Sequence, residues 1–411
     1  MLRNLSLTVA VLLAVPSITS AAANDTATPQ LSQGEFNQCL GGLHHDSQFK
    51  SIGADTWRRF TTNLAPDGSV LPKLDKQPEF TLPAWDYIAI LADQERVADG
   101  RAAYQKWLPQ LREIQQRYGV DPAIVVSVWG VESNFGKNTG GRPLVQSLGT
   151  LSCFGRRQAF FRGQFAAALI ILQNGDIAPF KLNGSWAGAF GQTQFMPGTF
   201  LTTAVDFDGD GRRDLVDSVP DALASTANFL HRAGYRKGEP WGMEVKLPSG
   251  YAGESGRKGK HDVAYWSARG IRQTNGQPLP STLPDSGLLL PTGSEGPAFL
   301  TGKNFDTIYS YNASENYALA IAQLSTLVDN HKTDIGFVTP WPTDDPGLSR
   351  AENREVQSLL LKRGYDIGEA DGLIGGKTRD AIRAEQQKLG MPVDGRAGKK
   401  FLAALHTQPG S

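Results

Sequence analysis

The sequence is short of cysteine, methionine and histidine, with two, four and six of them among 411 residues. Two cysteines, Cys39 and Cys153, exclude a disulfide-dense scaffold, and no Cys/His spacing matches a zinc site. They leave two readings open: one disulfide in an oxidising compartment, or two buried thiols. Neither sign of charge is in excess, since Lys+Arg and Asp+Glu both number 41. A nucleic-acid binder would carry a basic surplus, so that class is excluded. Long apolar runs are missing as well. No stretch approaches the ~20 apolar residues of a spanning helix, so no transmembrane anchor is expected.

Residues 1–23 read as a signal peptide. Arg3 supplies the positive start, Leu5 to Val15 the apolar run, and Ala21-Ala22-Ala23 a small-residue cleavage site. No cysteine follows the run, so a lipid anchor is not expected either. The expected address is the periplasm, in soluble form.

With 40% hydrophobic residues, the chain has enough apolar material for two or three domains. Residues 35–338 read as one catalytic region, mainly helical. Tyr104, Trp107, Leu108, Leu111, Ile114 and Tyr118 recur at helical spacing. Asp121-Pro122 restarts the chain as N-cap and first helical residue, and the next helix runs to about Asn134. Further helices are predicted at Phe160–Leu172, Asp221–Arg232 and Tyr317–Val328. Between about 240 and 310, prolines and glycines punctuate short apolar runs, among them Gly287–Pro291 and Phe305–Tyr311. These predict a small β-rich insertion. Residues 339–348 hold three prolines and read as a linker.

Residues 349–407 form a compact tail with an internal repeat. Asp371-Gly372-x-x-Gly375 and Asp394-Gly395-x-x-Gly398 each precede a helix, and a third helix precedes both. Such a three-helix bundle suits a shallow binding groove and a separable module, not a deep active site.

Four segments carry candidate chemistry. In Trp129-Gly-Val-Glu-Ser-Asn-Phe-Gly136, Glu132 continues the stripe of Ile124 and Val128 at the end of a helix. Burial and the helix C-terminus both favour the protonated form, as a general acid requires. A glutamate that merely bonds backbone at a helix end is the plain alternative. Next comes Ser185-Trp-Ala-Gly-Ala-Phe-Gly-Gln-Thr-Gln-Phe-Met-Pro197. It places Gln192 and Gln194 among small and apolar residues, suited to a sugar groove or to close packing. Tyr309, Tyr311, Asn312 and Tyr317 cluster at a predicted strand-to-helix junction, where Tyr rings suit sugar faces. Finally, Asp206-x-Asp208-x-Asp210-Gly211, with Asp214 at position nine, matches a calcium loop over 206–217. Arg212 would offer its carbonyl. Asp217 stands where a glutamate is usual, and Asp221 is the substitute.

In this order and combination, the four segments resemble the membrane-bound lytic transglycosylase B family, glycoside hydrolase family 103, over Phe36 to Val328. The resemblance implies an elaborated lysozyme-like fold of mainly α (α+β) class. It implies Glu132 as sole acid/base, with Ser185, Gln194, Tyr311, Asn312 and Tyr317 in the substrate groove. The calcium loop would involve Asp206, Asp208, Asp210, Arg212, Asp217 and Asp221. The tail is similar to three-helix peptidoglycan-binding domains, departing at Glu385, where an aromatic is common.

The implied activity is cleavage of the β-1,4 bond between N-acetylmuramic acid and N-acetylglucosamine, leaving 1,6-anhydro ends. No cofactor is required for that chemistry, and a structural calcium ion is the only metal the sequence invites. Glycan strands of peptidoglycan are the expected partner, with cell-wall synthases as candidate protein partners. A lysozyme-type hydrolase and a non-catalytic wall-binding protein are the rival readings. Cys39 and Cys153 are expected to bond.

Overall fold

The computed structural model describes residues 30–75, 82–330 and 336–407. The expected signal segment therefore lies outside the described residues. The remainder is mainly helical with a small antiparallel sheet, as expected.

Two apolar cores organise the large region. One gathers α3 (Ala84–Leu91), α5 (Leu108–Tyr118), α6 (Pro122–Ser133), α10 (Val219–Arg232) and α13 (Glu315–Asn330) around residues such as Ile88, Val125 and Leu319. The other gathers α1 (Gln33–His44), α7 (Leu144–Cys153), α8 (Gln158–Asn174) and α9 (Pro197–Thr203) around Phe36, Leu148, Phe165 and Phe200. Phe229 and Tyr311 pack against both cores and join them. Also in this region are α2 (Ala54–Thr61), α4 (Gln94–Lys106), α11 (Val263–Ala268) and α12 (Lys303–Asn312).

The local sequence explains where helices begin and stop. Asp121 caps α6 by accepting from the Ala123 amide at 2.8 Å, with Pro122 behind it. The apolar spacing from Tyr104 to Tyr118 is shared by two helices, not one. The chain breaks at Trp107, because Pro109 has no N–H to continue the ladder.

Two paired dipeptides, β1 (Arg142–Pro143) and β2 (Asn183–Gly184), tie α7 to the loop that follows α8. The sheet proper contains β3 (Gly242–Lys246), β4 (Gly256–His261), β5 (Arg272–Gln273), β6 (Ser286–Leu289) and β7 (Ala298–Thr301). All its pairings are antiparallel, in the order β4-β6-β7-β3-β5. It encloses its own core around Trp266, Leu288 and Leu300. The expected strand at Phe305–Tyr311 is instead part of α12. Phe305 and Ile308, three residues apart, both face the first core, a spacing that a strand would split between faces.

The tail comprises α14 (Arg350–Lys362), α15 (Gly376–Lys388) and α16 (Lys399–Thr407) around Val356, Leu360, Ile382 and Phe401. A capping box at Ser349 and Glu352 starts α14. Glu385 is buried, with Oε1 3.0 Å from Arg363 Nε and Oε2 accepting from the Tyr365 hydroxyl at 2.7 Å. A buried ion pair thus occupies the place of the usual aromatic.

This tail is docked, which a module on a loose linker would not be. Arg396 bonds Asp86 of α3 at 2.6 and 2.8 Å. Arg350 meets Asp93, the N-cap of α4, at 2.8 and 3.0 Å, with side chains 9% and 1% exposed. Burial alone would raise the Asp93 carboxyl. The bonds from Arg350 and the Arg96 amide outweigh it and hold the group below the ordinary carboxylate range.

Cys39 and Cys153 are joined in a disulfide between α1 and α7, across a sequence separation of 114 residues. Closing so long a loop removes unfolded-state entropy equivalent to about 4–5 kcal/mol in the chain-entropy model. Replacing both cysteines by serine should therefore lower unfolding free energy by up to that amount. Denaturant titration of both forms, with and without reductant, measures it. A variant as stable as the oxidised parent would show that the link carries no stability.

Candidate active site

Residues 122–130 of α6 are all buried, so this helix is enclosed on every side and has no simple apolar stripe. Glu132 is only partly buried, at the point where the helix leaves the core. Asn134, Phe135 and Gly136 follow with φ of 52°, 58° and 80°, a left-handed run that reverses the chain. The Phe135 ring folds back onto Gly130, where a Cβ would lie 2.6 Å from it. Its ring meets Trp129 edge-on with centroids 5.6 Å apart. Ser133 donates to the Gln192 carbonyl and accepts from the Gly136 amide at 2.9 Å. Gly130, Ser133, Asn134, Phe135 and Gly136 thus turn the chain sharply beside Glu132.

The Gly/Ala-rich loop closes against this turn. A Cβ on Gly188 would meet Leu148 at 2.5 Å, and one on Gly191 the Leu215 carbonyl at 2.8 Å. Gln192 is a buried brace and not a groove amide. It accepts from Trp129 Nε1 at 3.1 Å and donates to the Val216 carbonyl at 3.1 Å. Gln194 has φ of 51° and donates to the Thr139 and Gly191 carbonyls at 3.0 and 2.9 Å.

A cleft of about 630 Å³ lies between the two cores and brings together Glu132, Gln194, Tyr311 and Asn312. Glu132 is the one carboxylate among its described lining residues. Ser185 is not among them, and its hydroxyl accepts from the Ala189 amide at 3.0 Å. Tyr317 is buried behind the wall and donates its hydroxyl to Glu132 Oε1. Tyr311 donates to the Thr193 carbonyl at 2.7 Å, and the two tyrosine rings stack with centroids 6.3 Å apart. Burial first, and then the negative charge of Glu132, push both phenols well above their usual range, so both stay protonated donors. These residues sit at a helix-to-helix junction, not the expected strand-to-helix one, with Ala313 at φ 50° between α12 and α13.

Sequence reasoning missed Leu74, Arg156, Arg157, Phe160 and Phe161, and it named the 185–197 segment without singling out its lining residues Trp186, Ala187, Ala189 and Met196. Arg157 takes φ of 62°, and its guanidinium lies 4.6 Å over Phe160, a ring left 39% exposed. Two arginines shortly before a Phe-Phe pair at a helix start were the available signal. A second cleft, of about 640 Å³, also includes Glu132 and runs toward Arg350 and Arg354 of the tail.

The acidic loop gathers Asp206, Asp208 and Asp210 within 4.8 Å of one another, a cluster able to hold a metal ion. Asp217 does not join them and pairs with Lys181. Asp221 is fully buried, accepting from the amides of Phe207, Asp208 and Asp214 at 2.8, 3.3 and 2.8 Å. It shapes the loop from behind. Arg212 pairs through its side chain with Asp210 at 3.0 Å.

A two-core helical domain with one cleft carboxylate, backed by buried phenols and roofed by aromatic and amide side chains, defines a glycan-cleaving enzyme of the lysozyme-like class. Comparison with known proteins makes the assignment narrower. The chain belongs to the transglycosylase SLT domain family, whose model matches residues 35–326, and a peptidoglycan-binding domain model matches residues 349–405. It is 34% identical to membrane-bound lytic murein transglycosylase B of Escherichia coli over 289 residues, 69% of this chain and 76% of that protein. It is similar to SltB3 of Pseudomonas aeruginosa, solved in complex with NAG-anhNAM-pentapeptide. The TM-score there is 0.71 at 43% identity, covering 90% of this chain and 99% of that one. The Escherichia coli lytic transglycosylase SLT35, solved in complex with calcium, is 28% identical with a TM-score of 0.61, covering 73% of this chain and 94% of that one. The protein is a lytic murein transglycosylase that acts on peptidoglycan. Among the described residues, no helix is long and apolar enough to cross a membrane.

Tyr317→Phe keeps the buried ring and removes only the hydroxyl that reaches Glu132. A hydrogen bond to a charged group contributes about 1.5–3 kcal/mol, so turnover should fall about tenfold or more. The melting temperature should move by only a few degrees. Muropeptide release and thermal unfolding of the same preparation test this, and undiminished turnover would leave Tyr317 as core packing alone.

Proposed function

We propose that Glu132 is the single acid/base of the reaction and that the bond broken is the β-1,4 link between N-acetylmuramic acid and N-acetylglucosamine. The observation that carries this reading is that Glu132 is the one carboxylate among the described lining residues of the cleft, held by a buried phenol. Glu132 protonates the bridging oxygen as the glycosidic bond breaks. The substrate's own N-acetyl carbonyl supports the developing cation, so no protein nucleophile is needed. The ionised Glu132 then takes the proton of the muramoyl C6 hydroxyl, whose oxygen closes onto C1. The 1,6-anhydro end forms without water, favoured by the high effective molarity of an intramolecular attacker. Gln194, Tyr311 and Asn312 bind the sugars, with Trp186 and Phe160 as stacking surfaces. Tyr317 orients Glu132 from behind, and Ser185 supports the loop that carries Trp186. The enzyme works in the periplasm, after loss of residues 1–23, on the glycan strands that its tail also binds.

Glu132→Gln tests the chemistry. It keeps the side-chain shape but has no transferable proton, and general acid/base loss lowers rates by ~10²–10⁴-fold. One residue serves both half-reactions, so the loss belongs at or beyond the upper end. Release of 1,6-anhydro muropeptides from sacculi reads it, alongside unchanged thermal unfolding. Near-normal release by the variant would defeat the assignment, and reducing ends from the parent would indicate a lysozyme-type hydrolysis.

The three loop aspartates also fit a structural calcium ion, a hard cation that takes carboxylate and carbonyl oxygens. Asp206, Asp208 and Asp210 would hold it with the Arg212 carbonyl, and it would brace the loop leading into α10. Calcium should then raise the melting temperature, since a ligand bound only by the folded state stabilises it. Asp208→Ala together with Asp210→Ala should abolish the response. No shift in the parent at millimolar calcium would remove the ion from the account.

A further inference from the structure

The turn that follows Glu132 is strained and is held from outside. Asn134 and Phe135 are non-glycine residues in left-handed backbone, where a Cβ crowds the following carbonyl, and Phe tolerates this less readily than Asn. Something must hold them there. Two arginines supply part of that hold. Arg96 of α4 donates to the Gly130 carbonyl, the group that also receives the Asn134 amide at 3.0 Å. Arg350, the first residue of α14 in the tail, donates to Asn134 Oδ1 at 2.9 Å.

Arg350 is itself immobilised. Its Nε and Nη2 lie 2.8 and 3.0 Å from the two oxygens of Asp93, and its backbone amide donates to Asp93 Oδ2 at 3.1 Å. Asp93 also accepts from the Arg96 amide at 2.7 Å. One buried carboxylate therefore ties together the start of α4, the start of the tail's first helix, and both arginines that grip the end of α6. Glu132 sits between the two gripped points, Gly130 and Asn134.

We propose that Arg350, though it belongs to the peptidoglycan-binding tail, is a positioning residue for Glu132, so that full turnover requires the docked tail. This rests on the reading of Glu132 as the acid/base. Arg350 does not act as a counter-ion in the chemistry, because Asp93 already satisfies its charge. It acts through Asn134 by keeping the turn in the geometry that presents the carboxylate to the cleft. A planar, forked guanidinium can engage Asp93 and Asn134 together, whereas an ammonium on a flexible stem is a single point charge.

The test uses the full-length protein and soluble, uncrosslinked peptidoglycan strands, so that retention on sacculi does not enter. Asn134→Gly removes the side chain that Arg350 holds while tolerating the left-handed backbone. Arg350→Met and Arg350→Lys break the hold from the other side. Small misplacements of reacting groups cost up to about 100-fold in rate. Asn134→Gly and Arg350→Met should each lower kcat about 10- to 100-fold with KM nearly unchanged, and lysine should not restore it. The double variant should be no slower than Arg350→Met alone, because both changes break one interaction. A stability role alone would lower the melting temperature of Arg350→Met and leave the kcat of Asn134→Gly at the parent value, which would overturn the proposal. Losses that multiply in the double variant would overturn it too. Glu132→Gln, measured alongside, keeps the two readings apart. Its failure to reduce turnover would sink the acid/base assignment, whereas its inactivity beside fully active Asn134→Gly and Arg350→Met would sink only the positioning role.

Discussion

Helix α6 is enclosed on nearly every side, yet its last turn has to deliver a carboxylate to an open cleft. That conflict shapes much of the structure around it. An ordinary helix end would fray into solvent, but here the chain must reverse at once beneath the Gly/Ala-rich loop. Three successive left-handed residues make the reversal, and they persist only because neighbours over-determine them. Gly130 leaves room for the Phe135 ring, Gln192 braces Trp129, and Ser133 reaches the Gln192 carbonyl. The two apolar cores meet at this place, and the cleft is the gap between them.

The buried phenols belong to the same arrangement. Tyr311 and Tyr317 come from α12 and α13, much further along the chain, and both stay protonated because burial and the Glu132 charge disfavour phenolate. A protonated donor aimed at a carboxylate fixes its direction without competing for its chemical role. Nothing else in the cleft carries negative charge among the described lining residues. That suits a mechanism in which the substrate's own acetamido group and hydroxyl replace the second carboxylate of most glycosidases.

The tail changes in meaning once its contacts are seen. Its sequence describes a small bundle that folds about its own core, and its linker is rich in proline. Yet its first helical residue is one of two arginines buried among the described residues, held by Asp93 at 2.8 and 3.0 Å. A buried ion pair of this kind is a weak source of net stability, because desolvation offsets attraction. Its value is geometric, since it admits one orientation of tail against catalytic domain. The second cleft is lined by residues of both.

Much of this was legible in the residues. The helix start at Asp121, the three tail helices, the candidacy of Glu132 at a helix end and the acidic triad all follow from local chemistry. Caps, turns and periodic spacing act over a few residues and so are written in a few residues. The misreadings share the opposite property. Phe305–Tyr311 is helical because Phe305 and Ile308 find one core, and a seven-residue stretch of mixed polarity cannot say which core awaits it. Gln192 and Gln194 stand two apart in one motif, but one braces Trp129 and the other lines the cleft. Asp221 is turned inward by three backbone amides that come from 7 to 14 residues away. By itself, then, the sequence determined the helical class, a candidate carboxylate and a three-helix tail through short-range pattern, and their roles in glycan cleavage and wall binding through the resemblance of the combined motifs. Tertiary structure alone decided which side chains meet Glu132 and how the tail is held, because those contacts join Tyr317 and Arg350 to a helix end some 185 and 216 residues away in the chain.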